Sequence, residues 1–205
     1  MANTDRPKGW HDRGYLPHYD GGAIAQFITW RLHDSLPQPV LVRLKEELKI
    51  HGIENITRET LILVEEYLDK GISACNLRRL DIAAMVRQAF LFHAKRKFDL
   101  FAWVIIPNHI HILLRPLPGI HLHKIIHSLK SFTAHEANKI LDRTGAFLMR
   151  EYFDRYIRDE EHFQKAVRYI ERNPVKAGLC KEPADWEFSS AAERKRPARQ
   201  RPAGE

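Results

Sequence analysis

The chain has 205 residues, of which 44% are hydrophobic and 29% charged, a balance typical of a soluble globular protein of one or two domains. No uncharged stretch reaches the roughly 18 residues of a membrane-spanning helix, and the polar N-terminus does not resemble a secretory signal peptide. The formal net charge of +7 and the sequence pI near 9.5 favour a polyanionic partner such as nucleic acid. Only two cysteines are present, which argues against a disulfide framework and fits a reducing cytosol.

A polar, loop-like arm is predicted at residues 1–22, and alternating strands and helices follow it. β-Branched and aromatic residues indicate a first strand at Gln26–Leu32. Apolar residues at helical spacing then predict helices at about 40–51, 58–70 and 77–95. A strand at Phe98–Ile106, a tight turn at Pro107–Asn108 and a second strand from His109 come next, followed by a long helix from Leu122 and a polar edge strand at Phe147–Ile157. Asp159 can N-cap the last helix, which is predicted to end near Asn173 because Pro174 follows.

This order of elements is strand, helix, strand, strand, helix, strand, helix. It predicts an α/β (α+β) fold, a ferredoxin-like antiparallel sheet sandwiched by helices, with an additional C-terminal helix. Residues 23–190 form one predicted domain, in which residues 33–75 are a helical insertion after the first strand. Residues 191–205 are basic and Pro-rich and are predicted to be a disordered tail.

Two histidines flank one apolar residue in an otherwise apolar strand. Because successive side chains of a strand alternate faces, His109 and His111 point to the same side, while Ile110 and its apolar neighbours point into a core. Two adjacent imidazoles form half of a divalent-metal site. The alternative is a histidine pair on the solvated face of an amphipathic strand.

Tyr169 and Asn173 lie one turn apart on the edge of the apolar stripe of the last predicted helix. Tyr169 is either a packing residue with its hydroxyl in water or a nucleophile. In the second interpretation, Asn173 supplies an amide oxygen to a hard cation such as Mg²⁺.

Several segments resemble the REP-associated tyrosine transposases, relatives of the single-tyrosine HUH insertion-sequence transposases. The resemblance covers nearly the whole chain, and its most specific part is Pro-Asn-His-x-His combined with a distant Tyr-x-x-x-Asn-Pro. One departure is Phe147–Met149, where the family often has Phe-Trp-Gln. The segments that carry the resemblance are Arg13–Asp20, Gln26–Pro37, Ala102–His111, His127–Ala134, Arg150–His162 and Tyr169–Leu179.

The resemblance implies that His109, His111 and Asn173 bind Mg²⁺ or Mn²⁺ and that Tyr169 is the catalytic nucleophile. The implied activity is metal-dependent cleavage and strand transfer of single-stranded or hairpin DNA from repeats, through a 5′-phosphotyrosine. The implied protein is cytoplasmic and nucleoid-associated, has no membrane partner, and acts as a monomer or a homodimer. Two alternatives remain open: a repeat-DNA-binding module with vestigial catalysis, and a hydrolytic metal nuclease that forms no covalent adduct.

Basic residues outside this set are candidates for contacts with DNA phosphates, although a solvated basic face is the ordinary explanation. His123 and His127 have the spacing of a helical zinc half-site but lack the accompanying Glu, so His121, His123 and His127 are predicted to be surface or DNA-facing residues. The predicted phosphate-binding residues are Arg115, Lys124, Lys130, Arg194, Lys195 and Arg196.

Overall fold

The computed structural model describes residues 9–12, 17–37, 39–43, 46, 64, 66–71 and 73–196. Its strands are β1 (Gly9–Asp12), β2 (Pro17–Asp20), β3 (Gln26–Arg31), β4 (Phe98–Ile105), β5 (His109–Pro116) and β6 (Phe153–Tyr156). Its named α-helices are α1 (Leu80–His93), α2 (Leu122–Ile140), α3 (Glu160–Lys176) and α4 (Ser190–Lys195), and short 3-10 helices span Asn76–Arg78 and Pro183–Asp185.

The main sheet has four antiparallel strands in the order β4-β5-β3-β6. The ferredoxin-like prediction is therefore confirmed, and β6 is the edge strand that its polar sequence predicts. β4 and β5 are joined by the short turn at Pro107 and Asn108, so they form a hairpin.

Helices cover both faces of this sheet. On one face, Ile110, Ile112 and Leu114 of β5 pack into the larger core with the buried residues of α1 and α2. On the other face, Ala166 and Ile170 of α3 join a smaller cluster with side chains of β4 and β5. Because side chains alternate along a strand, His109 and His111 lie on the same side of the sheet, as predicted, and that side is the one that α3 covers.

The N-terminal prediction was wrong for the residues that the structure describes there. Instead of a loop, β1 and β2 form a two-stranded antiparallel hairpin, which pairs Gly9 with Asp20 and Asp12 with Pro17. Asp154 of β6 accepts a hydrogen bond from the backbone N–H of Tyr19 at 2.9 Å, so the hairpin is held beside the main sheet. A side chain from a distant strand thus supplies order that the polar local sequence does not predict.

The C-terminal prediction was also wrong for residues 191–196, which are ordered. Ser189 N-caps α4 by accepting a hydrogen bond from the N–H of Ala192. Upstream of this cap, the backbone N–H of Ile105 donates to the carbonyl of Phe188, and the Trp186 indole donates to the carbonyl of Ile105. The segment therefore lies along the outer side of β4. Residues 197–205 lie outside the described residues.

Two further boundaries differ from the predictions. β6 covers only Phe153–Tyr156. Upstream of it, Leu148 forms an isolated antiparallel bridge with Leu32, and the pairing is then interrupted where the carbonyls of Met149 and Arg150 accept hydrogen bonds from the Lys130 ammonium. α3 continues through Pro174 to Lys176, because proline removes one donor near the helix end while the N–H of Ala177 still reaches the carbonyl of Asn173.

The predicted helices 40–51 and 58–70 lie partly outside the described residues. Residues 39–43 and 66–69 are helical. Among the described helices, none combines the length and the apolar character needed to cross a membrane.

Candidate active site

The histidine pair lies beneath α3 and is not solvated. His109 is 1% and His111 is 2% exposed, and their ring centroids are 4.7 Å apart. The alternative of two histidines on a water-facing surface is therefore wrong. Replacing either residue by alanine would also open a cavity, so such a variant cannot be assumed to keep the wild-type stability.

A hydrogen-bonded relay fixes the orientation of His109. The Asn108 amide nitrogen donates to the carbonyl of Leu68 at 2.8 Å, which leaves the amide oxygen facing His109 Nδ1 at 2.7 Å. An amide oxygen only accepts, so Nδ1 must carry the proton. The Nε2 atom of His109 is then the lone-pair atom, as a metal ligand requires.

His111 is presented in the same way by its neighbour in β3. Thr29 pairs directly with His111 across the sheet, and its hydroxyl lies 2.7 Å from Nδ1. The Nδ2 atom of Asn173 lies 3.4 Å from Nε2 and can donate to it. Nδ1 of His111 then donates to Thr29, and Nε2 again holds the lone pair.

Burial also keeps both imidazoles neutral. Desolvation lowers the pKa of His109 to about 3, with a further contribution from the positive charge of Lys176. The pKa of His111 is likewise well below its usual range, chiefly because of burial and then because of the charges of His109 and Lys176. Neutral imidazole is the form that binds metal, so protons do not compete for these nitrogens near neutral pH.

Tyr169 packs against the pair from α3. Its ring centroid is 5.3 Å from that of His111 and 5.7 Å from that of Phe27, both in edge-on geometry. The other two tyrosines of this half of the chain are engaged by the N-terminal hairpin: Tyr152 stacks on His18, and Tyr156 packs on Tyr19. Among these three phenols, Tyr169 is the one in ring contact with the histidine pair.

Asn173 completes a possible metal site. It is 1% exposed, and its Oδ1 atom is buried without a hydrogen-bond partner among the described residues. A buried amide oxygen without a partner is costly. A half-turn rotation of the Asn173 amide would place Oδ1 instead of Nδ2 beside His111 Nε2, where a cation would be bound by both atoms. Two neutral imidazole nitrogens and one amide oxygen form a mixed N/O donor set for a divalent ion. His109, His111 and Asn173 therefore fit a metal.

The predicted phosphate-binding residues do not form one cluster around His109 and His111. Arg115 forms an ion pair with Asp99 at 2.7 Å, and Lys124 is exposed on α2. In α4, Arg194 pairs with Glu171, Arg196 pairs with Glu187 at 3.0 Å, and Lys195 is exposed. Their contacts with DNA remain predictions.

Lys130 has a structural role that its sequence position does not suggest. Its ammonium donates to the carbonyls of Met149 at 2.8 Å and Arg150 at 2.6 Å. Burial lowers its pKa to about 8, although the nearby Glu151 acts in the opposite direction. The ammonium thus holds the chain that leads into β6.

His127 is exposed, as predicted, whereas His121 and His123 are half-buried. These two meet Asp20 at the end of β2, and one ligand atom from each of the three residues lies within 4.8 Å of the others. The spacing of His123 and His127 on one helix does not reveal this group, because its carboxylate comes from a hairpin about a hundred residues earlier in the sequence.

Two residues of the site were missed in the sequence, Asn108 and Thr29. In the sequence, Asn108 belongs to a tight turn and to the Pro-Asn-His-x-His motif, and neither predicts that its side chain orients His109. Its position directly before His109 was the available signal. Thr29 had no local signal, since its role depends on the register that places it opposite His111.

One family of known proteins matches the part of the chain that carries the histidine pair. The sequence model of the family "Transposase IS200 like" matches residues 80–173, a range that includes both histidines, Tyr169 and Asn173. No curated protein matches the sequence.

Among solved structures, a REP-associated tyrosine transposase bound to a REP hairpin matches with a TM-score of 0.51 and 20% identity, over 92% of this chain and 90% of that one. A Deinococcus radiodurans R1 protein described as a transposase matches with a TM-score of 0.32 and 18% identity, over 80% and 96% of the two chains. The first of these structures confirms the likeness of fold to REP-associated tyrosine transposases that the motifs predict, and the family match supports a transposase-like role in DNA processing.

Proposed function

We propose that this REP-associated-transposase-like chain cuts and rejoins single-stranded DNA next to hairpin-forming repeats, with Tyr169 as nucleophile and a divalent ion held by His109, His111 and Asn173. One observation carries the proposal: α3 brings a tyrosine and a buried side-chain amide against the histidine pair, and the neighbours of each imidazole leave the lone pair on Nε2. The REP hairpin bound to the similar solved structure supports this substrate class.

The chain's own residues have separate tasks in this reaction. Asn108 and Thr29 hold the imidazoles in the metal-binding tautomer, and Tyr169 supplies the attacking oxygen. A bound Mg²⁺ or Mn²⁺ would offset charge on the non-bridging phosphate oxygens and orient the scissile phosphate. α3 positions both Tyr169 and Asn173, so the nucleophile and one metal ligand are fixed relative to each other.

The proposed reaction consumes no cofactor, because one phosphorus–oxygen bond forms as another breaks. The Tyr169 hydroxyl is buried in this structure, so the reaction requires that DNA and water reach it. Its phenolic oxygen then loses its proton to solvent and forms a bond to phosphorus, and the bond from phosphorus to the 3′ oxygen breaks. The departing strand takes up a proton and ends in a 3′-hydroxyl, while the other strand is held as a 5′-phosphotyrosine. A 3′-hydroxyl can later attack this phosphorus, restore the phosphodiester and release the tyrosine, so joining needs no ATP.

The test uses a single-stranded oligonucleotide in which a hairpin is flanked by randomised sequence, incubated with the full chain and Mn²⁺. Wild-type protein should give a covalent protein–DNA adduct on a denaturing gel. Tyr169→Phe keeps the ring and should bind the DNA without forming adduct. Tyr156→Phe, a matched control on β6, should form adduct as the wild type does. Adduct from Tyr169→Phe, mapped to Tyr152 or Tyr156, would contradict the assignment.

The burial of the histidine pair also favours a second candidate, a DNA-binding module in which the former metal site has become part of the core. In that case, wild-type protein would bind the hairpin oligonucleotide without forming adduct at any Mn²⁺ concentration. A hydrolytic nuclease would instead give cut DNA without adduct, and Tyr169→Phe would still cut. The same gel therefore separates the three functions.

A further inference from the structure

A second group of metal-ligating side chains joins the N-terminal hairpin to α2. Asp20 is the last residue of β2, His121 is the N-cap residue of α2, and His123 lies in the first turn of that helix. One ligand atom from each of these residues lies within 4.8 Å of the other two. The group has the composition of a site with two imidazoles and one carboxylate.

This group is remote from the candidate active site. Gln26, at the start of β3, pairs with Leu114 near the end of β5, whereas Arg31 pairs with His109 at the start of β5. Asp20 lies shortly before β3 begins and His121 shortly after β5 ends, so the group lies at the end of the sheet opposite His109.

The carboxylate of this group is partly buried and oriented. Asp20 is 9% exposed. Its Oδ2 atom lies 3.1 Å from His121 Nδ1, and its Oδ1 atom accepts a hydrogen bond from the backbone N–H of Gly22 at 3.3 Å. Burial raises the pKa of this carboxyl, but the hydrogen bonds from His121 and Gly22 and the charges of His121 and His123 outweigh burial and lower it. Asp20 is therefore an anion near neutral pH.

An ion pair accounts for only part of this arrangement. One carboxylate needs only one cationic partner, yet two imidazoles lie beside Asp20. The ring centroid of His123 lies 5.4 Å from that of His121 at an interplanar angle of 35°. Two imidazoles and one carboxylate gathered at one point form a donor set that a cation can bind.

We propose that Asp20, His121 and His123 bind a borderline divalent transition-metal ion such as Zn²⁺, which ties the N-terminal hairpin to the start of α2. Imidazole nitrogen and carboxylate oxygen are both usual Zn²⁺ ligands. Metal–ligand bonds of about 2.0–2.1 Å place neighbouring atoms of a tetrahedral site about 3.3 Å apart, close to the 3.1 Å between Asp20 Oδ2 and His121 Nδ1. Three protein ligands leave a fourth position for water.

The experiment counts bound ions on the full chain. Zn²⁺ is titrated by calorimetry, and Co²⁺ is titrated by its visible absorption, which is intense when the ion is tetrahedral. The double variant His121→Ala/His123→Ala should bind one equivalent less than wild type and lose the tetrahedral absorption. His127→Ala removes an exposed histidine one turn further along α2 and should bind as wild type does. Asp20→Asn should weaken Zn²⁺ binding at least tenfold, and far-UV circular dichroism checks folding in each variant.

Two results would overturn the proposal: an unchanged number of bound ions in the double variant, or an unchanged Zn²⁺ affinity in Asp20→Asn. The outcome is independent of the proposed function, because His109, His111 and Asn173 are intact in every variant. Suppose that Tyr169→Phe forms no adduct and that the double variant binds Zn²⁺ as wild type does. The proposed DNA cleavage would then be supported, and only the proposal of this second metal site would be wrong.

Discussion

The relay through Asn108 leads to a prediction that separates metal binding from folding. The Asn108 side chain joins His109 Nδ1 to the carbonyl of Leu68 and is completely buried. Asn108→Ala removes both hydrogen bonds, whereas Asn108→Asp keeps an acceptor for His109 and loses only the donor to Leu68. The two variants should therefore differ in metal affinity more than in stability.

The expected magnitudes follow from these contacts. Each hydrogen bond is worth about 1 kcal/mol, and each buried group left without a partner costs about 1–3 kcal/mol. Asn108→Ala leaves two buried groups without a partner, the Leu68 carbonyl and His109 Nδ1–H, and should thus lower the free energy of unfolding by about 2–6 kcal/mol. It also frees the imidazole to change tautomer, and loss of such an outer partner typically lowers metal affinity by about 10–100-fold.

Urea unfolding followed by circular dichroism measures the stability change, and calorimetric titration with Mn²⁺ measures the affinity. Asn108→Asp should be destabilised through the unpaired Leu68 carbonyl yet bind Mn²⁺ at least as tightly as wild type, since a carboxylate accepts from Nδ1–H more strongly than an amide. If Asn108→Ala is folded and binds Mn²⁺ with wild-type affinity, the tautomer of His109 does not control a metal site, and the reasoning fails.

The remaining predictions concern lysines and pH. Lys130→Met should lower the free energy of unfolding by about 1–3 kcal/mol, because two carbonyls lose their donor. Lys124→Met should not alter stability but should lower the slope of log affinity for hairpin DNA against log salt by about 0.9, and an unchanged slope would remove Lys124 from the DNA-binding surface. Because burial depresses the folded-state pKa of His109 to about 3 and that of His111 well below normal, unfolding takes up protons below pH 6.5. Stability should therefore fall as pH decreases from about 6.5 towards 3, by roughly 1 kcal/mol per pH unit for each histidine. The free energy of unfolding, measured with urea at several pH values, should depend less steeply on pH in His109→Gln and as steeply as in wild type in His127→Ala. Equal pH dependence in all three proteins would contradict the burial argument.

Sequence periodicity was sufficient for the fold because the informative patterns were local. Alternation in Gln26–Arg31 and in the histidine strand, and helical spacing in Leu80–His93, each indicate one face that packs on one core. The N-cap at Asp159 was equally local, and its side chain accepts from the N–H of His162 as expected. The ferredoxin-like strand order then follows from the order of the elements.

What the sequence could not predict depends on contacts between distant segments. The hairpin of β1 and β2 is held by Asp154, more than a hundred residues away. The C-terminal segment is ordered by the backbone of Ile105 and by Arg87, which forms a two-pronged pair with Glu193 at 2.8 and 2.9 Å. Composition predicts such segments to be loop or tail, because it has no information about these partners.

The same limit applies to the candidate site. The strand pattern correctly placed His109 and His111 on one side, but it could not show that α3 covers that side and excludes water. The 3.6-residue period likewise put Tyr169 and Asn173 on one helix edge, yet the approach of that edge to His111 is a tertiary fact. The spacing of residues in the sequence therefore indicates which side chains can lie side by side, whereas their burial in the folded protein determines the protonation state of the histidines.

The position of the C-terminal segment has a consequence for self-association. Strands at the margin of a sheet can recruit a second molecule by extending the hydrogen-bond ladder, but here the backbone of Ile105 at the end of β4 already bonds to Phe188 and Trp186 of its own chain. The C-terminal segment would have to leave this end of β4 before a second molecule could extend the sheet there. If two copies do associate, we expect their contact to use helix surfaces, and trimming the chain before Trp186 should expose a strand prone to aggregation.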